Sequence, residues 1–171
     1  MMKIAPLLRS LRDDARGSAL IETAFVAPFL VLMSLGGVEV ANMVKRQHEL
    51  QNAASKAAEI MMAAHPADEA ALTTVMQQLA AAIQADTGLT TTAIGASVEP
   101  DETKNDVGYV MTRYRCGNAT NFKKANTGCT DSPNAERFVV FLLRDRYTPV
   151  WTDYGLGNDL QYRVEKSVQI G

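Results

Sequence analysis

The chain has 171 residues, a formal net charge of −2 and a composition that is 47% apolar. That length holds one domain of ordinary size. No basic block or arginine-rich stripe interrupts the near balance of charge, which excludes nucleic acid as a partner, because phosphate binding needs clustered positive charge.

Residues 1–17, MMKIAPLLRSLRDDARG, carry Lys3, Arg9, Arg12 and Arg16 against Asp13 and Asp14, a cationic flank ahead of an apolar run. The run itself, Ser18 to Val44, has no charged side chain between Thr23 and Val38 and is broken only by Pro28, Ser34, Gly36 and Gly37. A bilayer core needs about 20 mostly apolar residues in a helix, and this stretch supplies them. Positive residues stay cytoplasmic when short segments orient a membrane helix, which places the N-terminus inside and the bulk of the chain outside. Lys45 and Arg46 on the far side weaken that asymmetry. A secretory signal peptide fits poorly, since its apolar core would be shorter and followed by a small-residue cleavage site. An uncleaved signal anchor explains the length and charge but leaves Gly17 and Glu22 as accidents. A leader cut between Gly17 and Ser18, on the cytoplasmic side of the helix, explains both.

The string Arg16-Gly17-Ser18-Ala19-Leu20-Ile21-Glu22 resembles the processing site of type IV pilins and pseudopilins. There, a basic leader ends in Gly and Glu is the fifth residue after the cut. The longer pattern is similar to the TadE-like pseudopilins of the Tad (tight adherence) pilus system. Its elements are Glu22-Thr23-Ala24-Phe25, Pro28, Gly36-Gly37, Glu39 and the polar helix Leu50-Gln51-Asn52-Ala53-Ala54-Ser55-Lys56-Ala57-Ala58. The resemblance covers about residues 16 to 60, and it is the ordered combination that is specific. It implies a processed, membrane-inserted structural subunit, with a prepilin peptidase, other pilins and pseudopilins, the inner-membrane assembly platform and membrane lipid as partners. It also implies a single-pass protein of the bacterial inner membrane, with its C-terminal domain in the periplasm or carried into the pilus. Thr23 follows Glu22 where major pilins of this system often have an aromatic, which points to a minor subunit acting in pilus biogenesis, adhesion or priming.

The physics of Glu22 suits assembly. An ionised acid at a membrane-helix centre costs on the order of 2.5–3.5 kcal/mol, and less near the helix end. A cut after Gly17 would create an ammonium on Ser18, one helical turn from Glu22. In pilins this acid meets the N-terminal amine of a neighbouring subunit; the plainer reading is a carboxylate reaching for the headgroups. Glu39 lies ~25 Å further along a helix at 1.5 Å per residue, at the opposite interface.

From Lys45 to Ala64 the pattern stays helical, with Val40, Val44, Leu50, Ala54, Ala57, Ala58 and Met61 on one stripe. One continuous helix therefore leads from the membrane into the soluble part, and His65-Pro66 ends it. Asp68 caps a second helix, Glu69 to Ala85, which Gly88 stops. Four strands come next: Thr90 to Val98, Val107 to Cys116, Arg137 to Arg146 with the doubly apolar FVVFLL, and Leu160 to Ile170, which alternates with period two. The predicted fold is α+β and pilin-like: a long N-terminal membrane-spanning helix, a second helix and a C-terminal antiparallel sheet. The expected segments are a leader at 1–17, the transmembrane and amphipathic helix at 18–64, and an extracytoplasmic α+β domain at 65–171.

Cys116 and Cys129 flank a loop of Gly, Asn, Thr and Lys. Outside the cytoplasm the pair is expected to bridge, which for a loop of about 14 residues contributes ~3 kcal/mol in the entropy model. Free or metal-binding thiols are the other readings, and zinc would need further ligands where only His48 and His65 exist, far upstream. The segment Tyr147 to Gly155, with Trp151 and Tyr154, is read either as a contact surface for a neighbouring subunit or as a loop folding its aromatics onto the sheet. No phosphate loop, nucleophile elbow, paired histidines or Cys–His pair is present, so the chain is read as a structural protein with no enzymatic activity, cofactor or metal. The rival reading is an uncleaved, membrane-anchored periplasmic binding or adhesion module.

Overall fold

The structure is a computed structural model that describes residues 15–116, 121–123 and 135–170. Helix α1 runs Ala15–Ala64, α2 Glu69–Thr87, and the strands are β1 Thr90–Ile94, β2 Val107–Cys116, β3 Ala135–Tyr147 and β4 Leu160–Gln169. A short 3₁₀ helix, Val150–Tyr154, sits between β3 and β4. The chain divides into two compact units, Met1–Asn42 and Met43–Gly171.

The first unit contributes the N-terminal part of α1. The helix is continuous through Pro28, and the hydroxyls of Thr23 and Ser34 donate to the carbonyls of Ala19 and Leu30 one turn back. Those bonds satisfy the hydroxyls of Thr23 and Ser34 within the apolar stretch.

The second unit is a helix pair packed on one face of a four-stranded sheet. His65 takes a positive φ of 37° directly after α1 and before Pro66, so the chain breaks where the residue before a proline cannot stay helical. Asp68 then caps α2, its carboxylate accepting from the Ala71 amide at 2.7 Å. Gly88, in the left-handed region, closes the helix by donating its N–H to Gln84 O. Of the stripe read from the sequence, Leu50, Ala54, Ala57, Ala58 and Met61 of α1 are buried and meet Leu72, Leu79 and Ile83 of α2, whereas Val40 and Val44 are exposed. Val110, Val139, Phe141, Leu143, Val164 and Val168 rise from the sheet to meet them. Ala53, Ala54, Ala57 and Ala58 of α1 are buried in this layer together with the larger side chains that fill it.

The sheet order is β1-β2-β3-β4. β3 is central to it, and Phe138 through Leu143 are buried on both faces, as an unbroken apolar run requires. The second face is covered by the segment between β1 and β2. Arg113, buried, projects from β2 on that side and donates to the carbonyls of Ala96 at 2.9 Å and Val98 at 3.0 Å. Arg144 donates to Glu102 O from β3. Beneath them Met111, Phe138, Val140 and Leu142 form a smaller apolar cluster with Ile94, Tyr109 and Phe122.

Two expectations are corrected. The sheet is mixed, because β1 pairs with β2 in parallel, Thr90 opposite Val107 and Ile94 opposite Met111. The chain between Ile94 and Val107 is long enough to return across the sheet before β2 starts, which a parallel neighbour needs and a tight hairpin cannot supply. The first strand is also shorter than Thr90 to Val98: after Ile94 the chain leaves the edge and folds over the sheet, where Arg113 holds it.

Candidate functional site

Gly17 and Ser18 lie in the backbone of the first turn of α1. One turn further on, Glu22 is exposed and is the single ionisable side chain between Ala19 and Val38. Around it the helix displays Leu20, Ile21, Phe25, Phe29, Leu32 and Met33 without cover. An apolar surface that continuous is not left in water by a soluble monomer. By length and composition α1 can cross a membrane. Glu39, expected at the opposite interface, is buried. Residues 1–14 of the expected leader lie outside the described residues.

Where α1 begins to line the second unit, three polar side chains converge. Arg46 Nε donates to Asp145 Oδ2 at 2.5 Å, and its Nη1 lies 3.3 Å from Glu49 Oε2. Asp145 is buried at the end of β3 and also accepts the amide of Arg146 at 2.9 Å. Opposite Asp145 in the sheet, Tyr162 sends its hydroxyl to the carbonyl of Met43 at 3.1 Å. Burial alone would lower the Arg46 guanidinium; the hydrogen bond and charge of Asp145, with Glu49 beside them, outweigh it and hold Arg46 above the ordinary arginine value. Burial first, and the Asp145 charge second, push the Tyr162 phenol upward against the opposing pull of Arg46. The cluster ties α1 to the sheet at the Met43 end. Sequence reasoning left Arg144-Asp145-Arg146 without a role, since its partner Arg46 stands ninety-nine residues before Asp145.

The aromatic segment divides. Tyr147 and Trp151 are half-buried and Pro149 is fully buried, so part of the loop packs. Gly157, at a φ of 74°, lies against the Trp151 indole, where a Cβ would stand 3.3 Å from Nε1. Tyr154 is the opposite case, 79% exposed, and Val150, Leu156 and Leu160 are exposed around it.

Cys116 closes β2, while Cys129 and most of the loop between them lie outside the described residues. Next to that loop, Phe122 meets Phe138 edge to face at 5.3 Å, and the Arg115 guanidinium sits 4.6 Å over the Phe138 ring. A cavity of about 490 Å³ opens on this side of the sheet, with Met111, Val140 and Leu142 in its floor and Glu102, Arg113 and Arg163 at its rim. Its charges are of both signs, and nothing in it aligns a nucleophile with a base. Among the described residues no group of three or more His, Cys, Asp and Glu could hold a metal ion. His48 and His65 are both exposed.

No curated protein and no solved structure matches the chain. The family model described as TadE-like protein matches residues 17–59. That span starts at Gly17, contains Glu22 and the exposed apolar residues of α1 from Leu20 to Val44, and runs into the alanine-rich stripe that packs on the sheet. Over residues 17–59 the chain is similar to TadE-like proteins.

Proposed function

We propose that the protein is a minor pilin or pseudopilin of a Tad-type pilus system, acting by association rather than by chemistry. The observation that carries this reading is the coincidence, on one helix, of the TadE-like match with an uncovered apolar surface bearing a single acid, Glu22. In this reading α1 anchors the chain once in the bacterial inner membrane, and the domain at 65–171 lies in the periplasm or is carried into the pilus. A prepilin peptidase removes residues 1–17 by cutting between Gly17 and Ser18. The new Ser18 ammonium and Glu22 of neighbouring subunits then neutralise each other in apolar surroundings, where either charge alone is costly. Other pilins, pseudopilins and the assembly platform meet the apolar helix, and a Cys116–Cys129 bridge closes the loop after β2.

The test is N-terminal sequencing of the protein recovered from membranes, with and without the prepilin peptidase. A chain beginning at Ser18 only when the peptidase is present is the expected result. Residues 1–17 retained in both cases would replace the pseudopilin with an uncleaved, anchored periplasmic module.

A further inference from the structure

The sheet ends on β1 at one side and on β4 at the other, and the two edges differ in charge. β4 carries Arg163, Glu165 and Lys166, the kind of side chains that keep an edge strand from pairing with another chain. β1, TTTAI, carries none. Its surroundings share that neutrality: between Glu69 and Glu99 the sequence has a single charged residue, Asp86. Lys56 holds Asp86 at 3.0 Å, and Arg137 holds Glu69 at 2.7 Å. Asp106, beside the start of β1, turns its carboxylate to the Arg146 amide, and Glu99 lines the cavity on the second face with Arg113.

The backbone shows what this edge offers. The Thr90 N–H points toward β2 and donates to Asp106 O at 3.3 Å. Backbone groups alternate along a strand, so Thr92 and Ile94 also face β2, while Thr91 and Ala93 direct their N–H and C=O groups outward. The Thr91 amide donates to the side-chain oxygen of Gln84 at 3.3 Å, in the place that a neighbouring strand's carbonyl would take. A groove of about 580 Å³ runs along this edge, walled on the α2 side by the exposed Gln77, Ala81, Gln84 and Ala85.

We propose that β1 is a pairing edge and that its occupant is β1 of a second copy, joined antiparallel about a twofold axis at Thr92. Charge selects this occupant. β2 and β3 have strands on both sides and β4 is charged, so β1 is the open strand of this chain that matches a neutral edge. Thr91 then stands opposite Ala93 of the second copy, and Ala93 opposite its Thr91, each pair exchanging two N–H···O bonds once Gln84 swings aside. The two Thr92 side chains meet across the axis. Because α2 packs on both β1 and β2, the two α2 helices come to lie roughly 10 Å apart, a spacing at which helices pack and which the alanines of the groove permit. The inference goes beyond the pilin reading, uses the second unit alone and requires nothing of the helix before Met43.

The full chain is tested in detergent with micelles in excess of protein, its molar mass followed by light scattering over a dilution series. A concentration-dependent dimer is expected. Thr92→Lys, at an exposed position, sets like charges opposite each other and is expected to raise the dimer Kd about tenfold or more with unchanged circular dichroism. Thr92→Cys places two thiols on Cα atoms about 4.5 Å apart, within reach of a disulfide, and is expected to link the dimer covalently on mild oxidation. Ser97→Cys, beyond the strand, is expected not to link, and the parent chain, which keeps Cys116 and Cys129, reports any linkage of its own. Three outcomes overturn the proposal. A parent chain that is monomeric throughout leaves the edge to a strand of another protein. A dimer that Thr92→Lys does not weaken assigns association to another surface, the apolar part of α1 foremost. A dimer weakened by Thr92→Lys whose Thr92→Cys thiols stay unlinked rules out the twofold register.

Discussion

At the scale of the residue, the Arg46–Asp145 pair shows how burial changes the value of a charge. Asp145 sits in the sheet with 8% of its side chain exposed, against 25% for Arg46. An exposed ion pair contributes little, but removing one member of a largely buried pair strands the other. Asp145→Ala takes away the principal acceptor of Arg46 and leaves Glu49 at 3.3 Å as a weaker substitute. The expected loss is about 1–3 kcal/mol, read as a lower urea midpoint. Arg46→Met, which fills the same space without charge but strands Asp145 in turn, is expected to destabilise as well rather than to be neutral. Neither residue announces this in the sequence. Arg46 reads there as one more charge after a membrane helix, and Asp145 as a polar residue between two arginines.

At the scale of the element, the glycine in β2 carries information that its surroundings alone disclose. A Cβ on Gly108 would lie 2.5 Å from Thr91 Oγ1 and 3.0 Å from Leu143 Cδ2. The position is buried, and β1 crosses beside it in parallel pairing, Thr91 opposite Gly108. Gly108→Ala therefore forces Thr91 aside and loosens the edge strand, at an expected cost of about 1–3 kcal/mol in chemical unfolding. Broadening of β1 amide signals in exchange-sensitive NMR is the accompanying mark. Elements built from local pattern were legible: the caps Asp68 and Gly88, the break at His65-Pro66, and the six-residue apolar run of β3 all fall where their chemistry demands. The direction of β1 was not. Five residues with three threonines encode an extended segment, and parallel pairing depends on where a neighbour formed a dozen residues later comes to lie.

At the scale of the molecule, the two units bear different loads. Met43–Gly171 contains its own core between helices and sheet, whereas the apolar surface of α1 before Asn42 has no cover within its unit. Stability and assembly should separate accordingly. Glu22→Gln, an exposed change outside the core, is expected to leave the thermal unfolding of the domain within roughly 0.5 kcal/mol of the parent. The same variant is expected to abolish or sharply reduce recovery of the protein with assembled pili, because a neutral amide cannot balance a buried ammonium. A variant that assembles normally would remove Glu22 from the assembly mechanism.

The sequence by itself determined the long apolar helix, its acid at Glu22, the TadE-like pattern around it and the α+β order of the domain beyond it. Each of these rests on neighbours in the chain, through helical period, strand alternation, capping and the length a bilayer requires. Only the tertiary structure decided the partners of Arg46 and Arg113, the mixed pairing of the sheet, the need for Gly108, and which aromatics of the 147–157 segment pack and which stay outside. Those outcomes depend on groups brought together from positions tens of residues apart. Burial and geometry, which no local pattern encodes, set their energies.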